Sequence, residues 1–193
     1  MTDAYLYAVR CNFTDPAQLP AWNAWYGGPK MDEMLGLPYF ISVQRYEAVA
    51  LDTGRKYLAL WRVERPEAFE TPEYRAQWGF AQWTPFIRDW SRDLYRGPAE
   101  IDAALDVKED ERLHVISFDG ASEAAANASR GRVSSVRRDM IWLEAMGLDR
   151  HSPLLGIAKR ASGWTAEPVA DAVCQETLLA PMMARRRGAK RPT

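Results

Sequence analysis

Residue types that organise many small enzymes are scarce in this chain: it has two cysteines and two histidines among 193 residues. Cys11 and Cys174 lie far apart and show no metal-type spacing, so neither a zinc site nor a disulfide framework is indicated. Packed, reduced thiols follow. His114 and His151 would have to meet across the fold, with a carboxylate added, to hold a metal, and no metal is expected. Nowhere do ~18 apolar residues run together, and the N-terminal "MTDAYLYAVRCNF" lacks the basic-then-apolar pattern of a leader. The expectation is a cytoplasmic protein with no membrane partner. The glycines of "YGGPK" and "RGPAE" fit neither a Walker loop nor a dinucleotide fingerprint, and there is no Gly-x-Ser-x-Gly elbow. Charge of one sign is also missing. The net charge of −1 provides no field for nucleic acid, and the locally basic "ARRRGAKRPT", residues 184–193, reads as a disordered, solvated tail.

What the chain does have is apolar and aromatic mass: 47% hydrophobic residues and eight tryptophans, enough for a sizeable core. "AYLYAVRCNF" reads as a strand, and "TDPAQL" after it as a helix start capped by Thr14 or Asp15. The helix is predicted over residues 16–26, pausing at Gly27-Gly28-Pro29 and resuming from Met31 to Leu35. "YFISVQRYEAVAL" and "RKYLALWRVE" read as a hairpin turning at Asp52-Thr53-Gly54. Residues 66–90 carry aromatics at helical spacing, and "SRDLYR" reads as a closing strand. The order is β-α-β-β-α-β, a ferredoxin-like plait over residues 1–97.

Residues 98–111 read as a linker with a helical turn. A second, more divergent plait is expected over residues 112–183: strand "RLHVISFD", helix "GASEAAANASRGRVSSVRR", two strands turning at residues 148–151, helix "TAEPVADAVCQET", and an edge strand in "LLAPMMARR". In each plait, helices cover one sheet face and leave the other in need of a partner. The expected fold is therefore α+β, with tandem ferredoxin-like βαββαβ repeats closing an intramolecular α+β barrel around a cavity.

The stretches "WNAWYGGPKMDEMLGLPYFISVQRY" and "MIWLEAMGLDRHSPLLGIAKR" carry a resemblance to the dimeric α+β-barrel superfamily, particularly its EthD-like members with fused plaits. On that resemblance Trp25 and Tyr26 match a Trp-Tyr pair and Glu33 an acidic position, while Lys30 stands where relatives often have histidine. A neutral histidine accepts a proton near pH 7, whereas a lysine does so only if burial depresses its pKa. The superfamily implies cofactor-independent monooxygenases, cyclases, isomerases, dehydratases and decarboxylases on aromatic or polyketide-like compounds, and some haem enzymes. It also admits a homodimer.

Among the residues themselves, Lys30 follows a backbone break that can turn it toward a cavity, beside Asp32 and Glu33. Trp22, Trp25 and Tyr26 cluster on one helical side, as core or as pocket wall. Strand alternation puts Arg10 and Asn12 with Leu6 and Ala8, Ser42, Gln44 and Tyr46 with Phe40, and Arg62 with Leu58 and Leu60, the pattern of a lined cavity. The first expectation is a cofactor-independent lyase, isomerase or dehydratase working by proton transfer on a small aromatic or hydrophobic metabolite bound between the plaits. Lys30 with Arg10 or Arg62 would stabilise negative charge and Tyr46 or Glu33 would move the proton. Trp22, Trp25, Tyr26, Asn12, Gln44 and Trp61 would bind the substrate. The alternatives are a non-catalytic or stress-related binder of a hydrophobic ligand, in which Trp25 and Trp61 matter most, and an oxygenase that is cofactor-free or uses haem on His114.

Overall fold

In the computed structural model, which describes residues 3–50, 54–165, 169 and 171–189, the first strand β1 runs Asp3–Phe13 and is buried on both faces. Leu6 and Ala8 point one way, and Tyr7, Val9 and Cys11 the other. The chain then forms α1 (Leu19–Trp25), a π-helical turn (Tyr26–Lys30) and α2 (Met31–Leu35). The helix was expected to pause at Gly27-Gly28-Pro29, but it runs on. Pro29 has no N–H for the carbonyl four residues back, and its ring crowds that carbonyl; widening the helix by one residue accommodates the proline without ending the helix. The helix also starts later than expected, because the Asp15 carboxylate accepts from Ala17 N–H at 3.0 Å and holds a turn ahead of it.

The hairpin strands are β2 (Phe40–Ala48) and β3 (Tyr57–Val63); of its expected turn, residues 51–53 lie outside the described residues. Residues 66–90 do not make one helical segment. They divide into a 3-10 turn (Pro66–Phe69), α3 (Pro72–Gln77) and a second 3-10 turn (Ala81–Phe86), after which Trp90 belongs to strand β4 (Ile87–Pro98). Prolines at 66, 72 and 85 and the left-handed Gly79 (φ 102°) impose those breaks. The second half contains α4 (Ile101–Ala104), β5 (Glu111–Ser117), α5 (Glu123–Val136), β6 (Ile141–Leu148), β7 (Leu154–Ala161), β8 (Gln175–Pro181) and β9 (Arg186–Arg187). The helix expected over residues 165–177 is not found among the described residues, of which 166–168 and 170 are not part, and β8 takes its last three positions.

All pairings are antiparallel, and the strand order β3-β1-β4-β6-β7-β5-β8-β2 returns to β3, closing a barrel with β9 added beside β2. The two halves meet along two seams. At one, β4 pairs β6 from Asp93↔Leu148 to Arg96↔Glu144; at the other, β2 pairs β8 from Tyr46↔Pro181 to Ala48↔Leu179. The interior is full. Leu6, Leu58, Leu60 and Tyr95 from the first half pack on Leu113, Leu143, Leu155 and Ile157 from the second, as side chains fill a barrel of this strand number. The chamber expected between the plaits is therefore a packed core.

Two segments expected to be solvated are not. In residues 98–111, Ile101, Leu105 and Val107 are buried in the barrel core, and Gln44 clamps Val107 by donating to its carbonyl at 2.7 Å and accepting from its N–H at 3.1 Å. The described part of the basic tail, through residue 189, also docks: Arg185 donates to Ser42 Oγ at 2.8 Å and to the Asp102 carboxylate at 2.7 Å. Charge that reads as solvating in sequence is here neutralised and given acceptors.

On the outer face of the second half, Glu176 accepts from Arg137 Nε at 2.8 Å, lies 2.7 Å from His114 Nε2, and accepts from Val169 N–H at 3.3 Å. Burial by itself would push this carboxyl up, but the hydrogen bonds from His114 and Arg137 outweigh it and hold it down at about 2, against an ordinary 4.5. A carboxyl lowered on folding contributes stability that is fully present above its unfolded value and is lost as pH falls through the folded one. Glu176→Gln should thus lower stability at pH 7 by on the order of 1–2 kcal/mol, after allowance for solvent screening of a half-buried group, and flatten the loss of stability between about pH 4.5 and 2, read by urea unfolding across that range. Parallel wild-type and variant pH curves would refute this assignment.

Candidate functional site

The space that chemistry can use lies outside the barrel, between the first sheet and its helical layer. Outward residues of β1 and β3, Tyr7, Val9 and Trp61, form the floor of a slot, and Tyr26, Lys30 and Met34 on the helices roof it. Trp78, Phe80, Trp90 and Arg92 form its outer end. The inner slot is narrow, with about 20 Å³ of free volume, room for little more than a water. It adjoins a wider pocket of about 270 Å³ that shares Trp78, Gly79, Phe80 and Trp90. Trp78 and Trp90 are 44% and 42% exposed, unusual for tryptophan, and the Arg92 guanidinium sits 4.3 Å from the ring centre of Trp78 and 5.7 Å from that of Trp90. The segment carrying these rings is bracketed by left-handed Gly79 (φ 102°), Ala81 (φ 48°) and Asp89 (φ 52°). Two of these are not glycine, so the pocket rim holds backbone strain on the order of 1–2 kcal/mol per residue.

Lys30 is the polar centre of the slot. It is only 6% exposed, because the π-turn rotates it inward beneath α3. Its ammonium donates to the Gln77 carbonyl and lies 3.4 Å from Glu33 Oε2. Burial lowers the pKa of this amine, and the Glu33 carboxylate offsets the effect only in part. Below it, the Tyr7 hydroxyl is 3.2 Å from that of Tyr74, and burial together with Tyr74 holds the Tyr7 phenol well above its usual range. Tyr26 is likewise raised by burial, against the pull of Arg45, whose guanidinium stacks 4.4 Å from its ring centre.

The residues singled out from sequence divide between this slot and other places. Lys30, Tyr26 and Trp61 line it, with Glu33 at its edge. Trp22 is fully buried and stacked on Phe13 at 4.7 Å, while Trp25 packs edge-on to Tyr26 and 6.3 Å from Trp83. The alternation that grouped Arg10, Gln44, Tyr46 and Arg62 did identify a common face, but that face is the barrel interior. Tyr46 donates to Gln44 Oε1 at 3.0 Å within the core, and burial pushes its phenol far up. Arg62 donates to the Tyr5 carbonyl at 3.2 Å near the end plugged by α4. Phe40 leaves its expected face because a bulge between Phe40 and Ser42 shifts the register, and it packs under the helices instead.

At the opposite end of the barrel, Arg10 pairs with Asp93 at 3.1 Å and with Asp119 at 2.8 Å, and Arg55 shares Asp119 at 3.1 Å. Nearby, Asn12 donates to the Gly54 carbonyl at 3.1 Å and to Asp89 at 3.0 Å. These charges satisfy one another and tie β1 and β4 to the loop after β5, so they are read as a polar seal on the barrel. Sequence reasoning missed Tyr7, Trp78, Phe80, Trp90 and Arg92. The signal available was the aromatic cluster of residues 74–90, which helical spacing assigned to packing.

Haem, raised through His114, does not fit. His114 is fully buried, its Nε2 is taken by Glu176 at 2.7 Å, and Trp164 covers its ring at 4.8 Å, so neither nitrogen opens on a space for a macrocycle. Among the described residues no cluster of three or more His, Cys, Asp or Glu side chains could hold a metal ion, and no helix is long and apolar enough to cross a membrane.

No protein-family model matches this sequence, and no curated protein shows significant similarity to it. Solved structures do share its fold. An anthrone oxidase-like protein is 5% identical with a TM-score of 0.59, over 97% of this chain and 94% of the other. A candidate chlorite dismutase is 9% identical with a TM-score of 0.55, over 95% and 96%. A candidate monooxygenase from Fusobacterium nucleatum subsp. nucleatum is 6% identical with a TM-score of 0.51, over 97% of each chain. Identities this low establish a common antiparallel α+β barrel and leave the chemistry to the site.

Proposed function

We propose that this protein is an enzyme that binds a small aromatic or hydrophobic metabolite in the wider pocket at the outer end of the slot, with its reacting atom directed down the slot toward Lys30, and that reaction begins with removal of an acidic proton. The observation that carries this reading is the Lys30 amine, 6% exposed among aromatic walls. Desolvation disfavours its ammonium form, so more of it stands ready to accept a proton near neutral pH than of a surface lysine. Once protonated, Lys30 faces a phenolate or enolate across low-dielectric space, where the charge pair is far stronger than in water. Glu33, 3.4 Å away, is placed to pass the proton to solvent. Arg92, 4.3 Å from the ring centre of Trp78 and 5.7 Å from that of Trp90, supplies a second cation for the far end of a conjugated anion.

The anion then has two fates. Reprotonation or loss of a leaving group gives a cofactor-independent isomerase, dehydratase or lyase; transfer of electrons to dioxygen gives a cofactor-free oxygenase. The second fate is favoured by one observation, that two fold neighbours carry oxidase-like or monooxygenase descriptions. We also read the two halves, with strand orders β4-β1-β3-β2 and β8-β5-β7-β6, as fused ferredoxin-like plaits. Their closure needs no second copy of the chain, so a homodimer would associate through the outside of the barrel.

A panel of hydroxylated aromatic ketones, followed by absorbance and by an oxygen electrode, tests the reading. With a turned-over substrate, Lys30→Ala should lower kcat about 100-fold or more, and Arg92→Ala should mainly raise KM. Oxygen consumption stoichiometric with product would select the oxygenase. Unchanged kcat in Lys30→Ala would remove the lysine from the mechanism, whereas ligand binding without turnover across the panel would favour a binding protein.

Stability separates a working lysine from a structural one. Lys30→Met removes a desolvated charge while keeping most of its bulk, at the cost of leaving the Gln77 carbonyl short of a donor, so unfolding free energy should stay within about 1 kcal/mol of wild type. A loss of several kcal/mol in chemical denaturation would mean that the ammonium is there to hold α3.

A further inference from the structure

The π-turn that carries Lys30 departs from α-helical pairing: in an α-helix the Gly27 carbonyl would take the N–H of Met31, but that N–H goes to the Gly28 carbonyl. The Gly27 carbonyl receives a side-chain donor from a segment distant in sequence. Arg186, in β9, donates to the Gly27 carbonyl at 2.9 Å, and its other nitrogen pairs with the Asp32 carboxylate on α2. One guanidinium thus spans both sides of Lys30, two residues after it and three before.

The segment that presents Arg186 is itself fixed along its length. Met182 N–H donates to the Arg45 carbonyl at 2.9 Å, Gln44 Nε2 to the Met183 carbonyl at 2.8 Å, and Gly188 N–H to the Ile41 carbonyl at 2.8 Å. β9 pairs Arg186 with Val43 and Arg187 with Ser42. At Gly188 a Cβ would sit 3.1 Å from the Leu35 and Phe40 carbonyls, tighter than side chains usually pack, so a larger residue there would push the strap or α2 apart by a few tenths of an ångström.

We propose that Arg186 is a positioning residue for the slot, and that the segment from Met182 to Gly188, supplied by the second half of the chain, holds the π-turn in the shape that buries Lys30. The proposal rests on the reading of that slot as the site. It assigns the basic end of the chain a role in assembling the pocket of the other half. Lysine is a poor replacement, because a single ammonium cannot reproduce a planar fork reaching a carbonyl and a carboxylate together.

The test is the pH dependence of Lys30 acylation by trace acetic anhydride in the full chain, quantified by peptide mass spectrometry. In the wild type the labelling midpoint should lie below that of an ordinary lysine, about 10.4. In Arg186→Ala it should rise toward that value, with a several-fold faster limiting rate as water enters the slot, while Arg187→Ala, at an exposed position, should leave both unchanged. Arg186→Lys should fall between and serves as the variant of record if Arg186→Ala does not fold. An unchanged Lys30 midpoint in Arg186→Ala or Arg186→Lys, even with a lowered Tm, would overturn the proposal and leave Arg186 a purely structural contact. The labelling is independent of turnover: loss of the site reading through an active Lys30→Ala enzyme would leave this result readable by itself.

Discussion

Closure of the barrel is the constraint on which the rest of this structure depends. Each half builds a sheet with one face under helices and one bare apolar face, and burying the bare faces against each other removes side chains such as Leu6, Leu60, Leu113 and Leu155 from water. Each fully buried leucine is worth on the order of 2 kcal/mol, so the interior is a major source of stability. The two seams, β4 with β6 and β2 with β8, also remove four sheet edges that would otherwise invite aggregation. A barrel filled in this way has no room for a ligand, and binding space is displaced to the outer layer.

That displacement explains the character of the slot. Its floor is the outer face of the same sheet, and its roof is a helix widened by Pro29, so a backbone irregularity stands where the polar side chain must turn inward. Lys30 meets a carbonyl at the end of α3 and a carboxylate one turn on, both near the ends of short elements where backbone groups are free. On the second half the pocket of about 250 Å³ beside α5 is lined instead by Glu123, Asn127, Glu144 and Arg150, with none of the aromatic walls of the slot. The outer face of that half carries an ionic and aromatic cluster in which Glu176 pairs with His114 and Arg137, and Trp164 packs over the His114 ring and the Arg137 cation.

Much of the architecture was legible in the sequence. Alternation in "AYLYAVRCNF" and "RKYLALWRVE", and the run "GASEAAANASRGRVSSVRR", pointed to the strands β1 and β3 and the helix α5, because burial on two faces of a sheet or one face of a helix leaves a periodic trace. Residues 66–90 misled because aromatics at spacings of three and four also arise in short turns broken by proline. The basic tail misled because a charge pattern does not reveal whether its acceptors are water or, as for Arg185 and Arg186, carbonyls and carboxylates distant in sequence.

The site follows the same division. Sequence alone determined which residues of one strand share a face: Arg10 with Leu6 and Ala8, Gln44 with Tyr46, and Arg62 with Leu58 and Leu60, and it marked the Gly-Gly-Pro irregularity before Lys30. Only the tertiary structure decided which face looks into a packed core and which into a slot, because that depends on how two sheets pair across the seams. It also brought Arg92 from β4 and Arg186 from β9 to a helix near the start of the chain. Periodicity is a local property of the backbone, whereas the partner of a buried charge is chosen by the whole fold.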